Sequence, residues 1–210
     1  MAKSFAEIAF TGDVKKLQEE NGSRHIYARM EESADYDGLT ESEMDFIRER
    51  DSFYLATIGE NGYPYIQHRG GPKGFLNVID KNTLGFVDFR GNKQYISVGN
   101  IAAHPNVSLF LMDYARRTRL KIYANVRIVS LEEEPQLFET LDPREYPHKP
   151  ERMMIFAIEA FDWNCPQHIT PRYTAEEVAK AWEKQTAHIA TLEQEVTRLR
   201  EELNTFQHKQ

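Results

Sequence analysis

Between Phe53 and Val129 the chain keeps returning to one pattern, a short run of aromatic and β-branched residues followed by a tight polar break. FYLATIG, YPYIQHRG, FLNVID, LGFVDF, VSLFLMD and LKIYANVRIV are the runs; Glu60-Asn61-Gly62, Gly70-Gly71-Pro72 and Lys81-Asn82-Thr83 are breaks. These read as strands joined by tight turns. In LKIYANVRI the apolar Leu120, Ile122, Ala124, Val126 and Ile128 alternate with Lys121, Tyr123, Asn125 and Arg127, so one face is expected to be buried and the other to meet solvent or a ligand. A further strand, MMIFAIEAF, follows a helical interlude at EEEPQLFETL. The fold class expected is mainly β with helices (α+β), an antiparallel barrel, because closure removes exposed sheet edges.

Helical signals flank the strands. TGDVKKLQEE followed by Asn21-Gly22 predicts a short helix with a glycine stop, and Thr40 with Glu43 forms a capping box ahead of another. Residues 23–38 read as a connecting arm. The insertion NKQYISVGNIAAHP spaces Tyr95, Ile96, Val98, Ile101 and Ala102 as a short helix opening near Asn92 and stopped by Pro105. After a capping box at Thr174 and Glu177, Val178, Trp182, Gln185, Ile189, Leu192, Val196, Leu199, Leu203 and Phe206 recur at steps of four and three, a heptad seam. Ile189 and Val196 at the first core position, with Leu192 and Leu199 at the second, favour two parallel strands, and Glu195 can reach Arg200 of a partner. The same stripe could instead pack back on the barrel, although a helix of about 50 Å outreaches a small one. The expected divisions are 1–38 (helix and arm), 39–172 (barrel) and 173–210 (coiled coil).

Composition narrows the function classes. The 210 residues carry 26 Lys plus Arg against 33 Asp plus Glu, a formal net charge of −7. Such a surface repels nucleic acid and acidic lipid, so an anion site must be local. The single cysteine, Cys165, fits a reducing compartment, and with no strongly apolar run long enough to span a bilayer the expectation is a cytoplasmic protein. P-loop, HExxH and GxSxG motifs do not occur.

Three clusters could carry chemistry. In VDFRGNKQY, Asp88 through Gln94 bring Arg90, Gly91, Asn92 and Lys93 to the mouth of a helix, where outward amides and full positive charges suit a phosphate; a solvated turn is the competing reading. QHRGGPKG keeps Arg69 and Lys73 close in a loop whose glycines are costly unless backbone must approach something, and Arg69 could also simply pair with Asp88. In DWNCPQHITPR, a flat indole, histidine and glutamine donors and two stiffening prolines suit a planar heterocycle. Cys165 and His168 are spaced like half a zinc site but lack a second pair, so no metal is expected.

With these strands, the RGGPKGFL loop, the DFRGNKQY junction, LKIYANVRI and the terminal DWNCPQHITPR, the chain resembles the pyridoxamine 5′-phosphate oxidase-like flavin-binding proteins over about Leu39 to Arg172. That resemblance implies a homodimeric split barrel holding FMN at the subunit interface. By it, Arg69, Gly70 and the Arg90–Gln94 junction with Asn92, Lys93 foremost, would hold the phosphate and ribityl chain. Gln67, His68, Asp88 and Phe89 would line the ring, and Trp163, Gln167, His168 and Arg172 would reach over from the opposite subunit. The implied function is an FMN-dependent oxidoreductase of unassigned substrate, with His68 and His168 as candidates for proton handling. A non-catalytic flavin- or haem-binding sensor or storage module, assembled through residues 174–206, is the alternative. The chain departs from the oxidase itself by running from Pro171-Arg172 into the heptad helix.

Overall fold

A computed structural model describes residues 4–32, 37–164 and 166–207. Cys165 lies outside them. The described chain forms two compact units, one ending at Ile169 and the other beginning at Thr170.

The first unit opens with three short helices, α1 (Phe5–Ala9), α2 (Gly12–Glu20) and α3 (Arg24–Glu32). Ser4 and Glu7 make a reciprocal capping box at α1, which lays Phe5 flat on Tyr123 at 4.6 Å with the Lys121 ammonium 4.4 Å over its ring. Residues 24–32, expected to be part of an arm, are helical. Glu31 accepts from Arg24 of its own helix and pairs with Lys15 of α2 at 3.0 Å. That ion network stabilises a segment whose own pattern is too polar to announce a helix. Helix α4 (Glu41–Arg48) follows the Thr40 capping box as expected.

Seven strands then form one antiparallel sheet: β1 (Ser52–Ile58), β2 (Pro64–Gly70), β3 (Asn77–Asp80), β4 (Thr83–Phe89), β5 (Asn106–Asp113), β6 (Thr118–Val129) and β7 (Pro150–Asn164). Their order is β2-β1-β5-β6-β7-β4-β3. The sheet curls until β1 faces β4 and β7 across an aromatic core, with Phe53 packed edge-on to Phe86 at 5.5 Å and to Phe156 at 6.4 Å. Closure is by side chains: among the described residues β2 and β3 remain edges of the hydrogen-bond ladder, which is what a split barrel means here. Leu55, Leu109, Leu111, Leu120 and Ile122 are fully buried.

The alternation expected in β6 holds from Leu120 to Val126, because the register shift at Tyr123/Ala124 passes over Glu159 of β7, and it breaks only at the end, where Ile128 is half-buried and Val129 buried. From Met153 to Phe156 strand β7 runs apolar without alternation because both of its faces are covered there; beyond, Ala157 and Glu159 are exposed. Met154 and Phe156 point into the barrel, while Met153 and Ile155 join Val87, Val129 and Leu141 under α6 (Pro135–Leu141). Gly85 makes that outer layer possible: a Cβ there would come within 2.9 Å of Ile79 and 3.1 Å of Leu141. Helix α5 (Ile96–Ala103) seats Ile101 in the main core.

The second unit is α7 (Ala175–Gln207), a helix of 33 residues opened by the expected Thr174–Glu177 capping box. No helix among the described residues is long and apolar enough to cross a membrane.

Candidate functional site

Strand β2 alternates, and its period of two sorts the candidates. Tyr65, Gln67 and Arg69 turn to one side and are half-buried, whereas Ile66, His68 and Gly70 turn to the other and are exposed. On the inner side, Gln67 accepts a hydrogen bond from the Ser97 hydroxyl at 2.8 Å. The Arg69 guanidinium lies over the Phe86 ring and donates to Asp88 at 2.7 Å. The ion pair weighed for Arg69 therefore exists. Its Nε is buried and unpartnered among the described residues, leaving one donor unused.

Asp88 ends the buried part of β4, opposite Arg152 of β7. Burial pushes its carboxyl above the ordinary range, further than Arg69 and Arg152 pull it down. Glu151 lies beside them and accepts from Arg90 at 3.1 Å, Tyr95 at 3.2 Å and Arg152 at 2.7 Å. Its burial would raise it, but these hydrogen bonds prevail and hold it below the usual carboxylate range.

After Phe89 the chain passes through Gly91, where a Cβ would meet open space, into a turn in which Asn92 Oδ1 accepts from the Gln94 amide at 3.2 Å. Lys93 (φ 63°) and Tyr95 (φ 54°) both take the left-handed conformation, which is uncommon for side chains of this size. Helix α5 consequently starts at Ile96, not near Asn92, and no side chain caps it. Its orphan first-turn amides are left to whatever fills the space in front.

These elements line one open cleft of about 60 Å³. Gln67, Arg69, Asp88, Phe89, Gly91, Asn92, Lys93 and Gln94 line it together with Tyr65, the first turn of α5 and Glu151. Arg69 and Lys93, on two separate bends of the chain, thus converge. Three arginines (69, 90 and 152) meet two carboxylates (88 and 151) around it, and Lys93 makes no ion pair among the described residues. The cleft is locally positive on an acidic chain.

Other candidates sit elsewhere. His68 lies on the outer face with its ring 5.7 Å from Tyr54, and Gly70 shares that face. Lys73 is exposed near Glu49, whose carboxyl it helps Arg116 to hold low. The glycines of that loop have structural reasons: a Cβ on Gly71 would strike Phe75 at 2.6 Å, and Gly74 has φ +81°. Arg90 is turned to Glu151 at the rim. Trp163 donates its indole N–H to Glu43 at 2.6 Å and packs edge-on to Phe46. Gln167 and His168 are exposed beyond β7, and Arg172 belongs to the second unit.

Tyr65, Tyr95, Ser97, Glu151 and Arg152 escaped sequence reasoning. Tyr65 alone was within its reach, two residues before Gln67 on the same strand face. The rest arrive through β7 pairing and the late helix start. Among the described residues no three His, Cys, Asp or Glu side chains gather as a metal site.

Residues 39–163, more than half of the chain, match the family model described as pyridoxamine 5′-phosphate oxidase. No curated protein matches the chain. Similar solved structures include an FMN-binding protein from Syntrophomonas wolfei subsp. wolfei (15% identity, 70% of this chain and 97% of that one, TM-score 0.42). Group A Streptococcus HupZ is another (13%, 64% and 100%, TM-score 0.45). A third is a general stress protein 26-related protein of the pyridoxinephosphate oxidase family from Clostridium acetobutylicum (14%, 65% and 94%, TM-score 0.42). The extent of the family match, on a split barrel with this cleft, establishes that the chain belongs to the pyridoxamine 5′-phosphate oxidase family.

Proposed function

We propose that the protein is an FMN-binding oxidoreductase and that the β2/β4–α5 cleft holds the cofactor's phosphate and ribityl chain. One observation carries this reading: Arg69, Lys93 and the uncapped first turn of α5 share a single positive cleft. The residues fit the group. Arg69 keeps a buried, unpartnered Nε, Gly91 leaves room for close backbone approach, and an uncapped helix start supplies amides for an oxyanion. Bound there, the flavin would supply two-electron redox chemistry.

The chain's own groups divide the work. Lys93 contributes the charge that no carboxylate answers, and Asp88 holds Arg69 in place while lowering its net pull on an anion. The Gln67–Ser97 pair and Phe89 form the wall beyond the phosphate end. The site is completed by a second copy. In support, the outer face of β1 and β2 exposes Tyr54, Ile58 and Ile66, a contiguous apolar surface backing directly onto the cleft, and His68 lies on it. With the indole N–H of Trp163 engaged by Glu43, the exposed Gln167 and His168 are the side chains offered to the other copy.

The visible spectrum of the purified protein tests the reading, with mass spectrometry of the released chromophore. Flavin bands that bleach with NADH or NADPH and recover in air are expected. Lys93→Ala should weaken retention about ten-fold or more, since a charge-assisted contact is worth roughly 1.5–3 kcal/mol. A Soret band, or flavin content indifferent to Lys93→Ala, overturns the assignment.

A further inference from the structure

We infer that α7 is one strand of a parallel, two-stranded coiled coil whose other strand is the same helix of a second copy of the chain. The inference does not depend on the cofactor. Along α7, Val178, Trp182, Ile189, Leu192, Val196, Leu199 and Leu203 form one stripe, and each is exposed, from 43% at Val178 to 66% at Trp182. Scattered apolar residues on a surface need no explanation, but a stripe extending over most of a helix of about 50 Å does.

Its spacing says what covers it. Steps of four and three average 3.5 residues, so on a straight helix of 3.6 the stripe would drift; it stays on one seam only if two helices wind around each other. The side chains select the number and direction of strands. Ile189 and Val196 are β-branched at one core position and Leu192 and Leu199 occupy the other, the combination of parallel pairs. Gln185 supplies a polar layer that an out-of-register pairing would set against an apolar one.

The flanking charges agree. In a parallel pair, Glu195 of one copy faces Arg200 of the other and His188 faces Glu193, with no like charges opposed. Glu195 already pairs with Arg198 of its own helix at 2.5 Å, and Arg200 of the other copy adds a second cation. Arg198 reaches Glu202 as well, at 3.3 Å.

The test uses the full chain with its single cysteine removed (Cys165→Ser) and one new cysteine at a time. On mild oxidation, Leu192→Cys and Leu199→Cys should each link two copies in high yield, and Thr197→Cys, away from the seam, should not. Adding Arg200→Glu to Leu192→Cys should lower the yield several-fold, and adding Glu195→Arg to that pair should restore it. If both seam cysteines link no better than Thr197→Cys, the inference is overturned. An antiparallel pair, a different partner protein and a helix folded on its own barrel all give that result, because each sets Leu192 against some residue other than itself.

Discussion

Asp88 carries the tension of the candidate site in one side chain. It is buried, it anchors Arg69, and it places negative charge beside a cleft proposed to hold an anion. Because burial raises its folded value above the ordinary 3.8, the folded chain binds more protons than the unfolded one between the two. Its contribution to stability is therefore complete below 3.8 and is lost as pH rises through the raised value. Asp88→Asn removes that loss. As pH rises from 3.8 through the raised value, its melting temperature should rise relative to the unaltered chain; a difference that stays flat, followed by thermal unfolding, would mean that Asp88 titrates normally. At this scale the sequence was readable where charge and glycine crowd together, at Arg69 and at Gly91 to Gln94. The family resemblance grouped His68 and Gly70 with Gln67 and Arg69, and the two-residue period of β2 separates them.

Among the elements, those with local punctuation were legible. Thr40 and Thr174 open α4 and α7 as their capping boxes require. Ser4 and Glu7 repeat that pattern, yet the short helix they start was not read, and α3 has no such signal because its ion pairs reach back to α2. The start of α5 was misplaced because Lys93 and Tyr95 take left-handed backbone, which nothing in their chemistry announces. Glu43 shows how much one capping residue can hold: it is buried, accepts from the Thr40 amide, and also accepts from Trp163 across 120 positions of sequence. Burial would raise its carboxyl, but the hydrogen bonds from Thr40 and Trp163 prevail and lower it. Its contribution is thus present above the ordinary 4.5 and lost as pH falls through the folded value. Glu43→Ala removes the charged acceptor of a half-buried indole N–H and should cost roughly 1–3 kcal/mol in denaturant unfolding. Glu43→Gln, which keeps an acceptor oxygen, should cost less, and equal losses would show that the charge and not the hydrogen bond matters.

The curl of the whole sheet was expected, since seven short strands with tight turns read as a barrel, but nothing in their patterns states that β1 will meet β4 across the core. That meeting depends on large aromatic side chains, Phe53, Phe86 and Phe156, far apart in sequence. It also places the cleft on one side of β2 and the exposed Ile66 on the other, so one thin edge strand separates the proposed cofactor from the proposed subunit contact. A single substitution can interrogate both. Ile66 is 65% exposed in the single chain, so Ile66→Asp should change folding stability by no more than about 0.5 kcal/mol. If a second copy covers that face, the same carboxylate is buried without a partner, at a cost of several kcal/mol. With the α7 seam broken by Leu192→Asp and Leu199→Asp, sedimentation should then show dimers where Ile66 is kept and monomers for Ile66→Asp, and flavin retention should fall with dimer content if the second copy completes the site as proposed. A variant that stays dimeric would exclude this face as the interface; one that becomes monomeric but keeps its flavin would show that a single chain is enough to hold the cofactor.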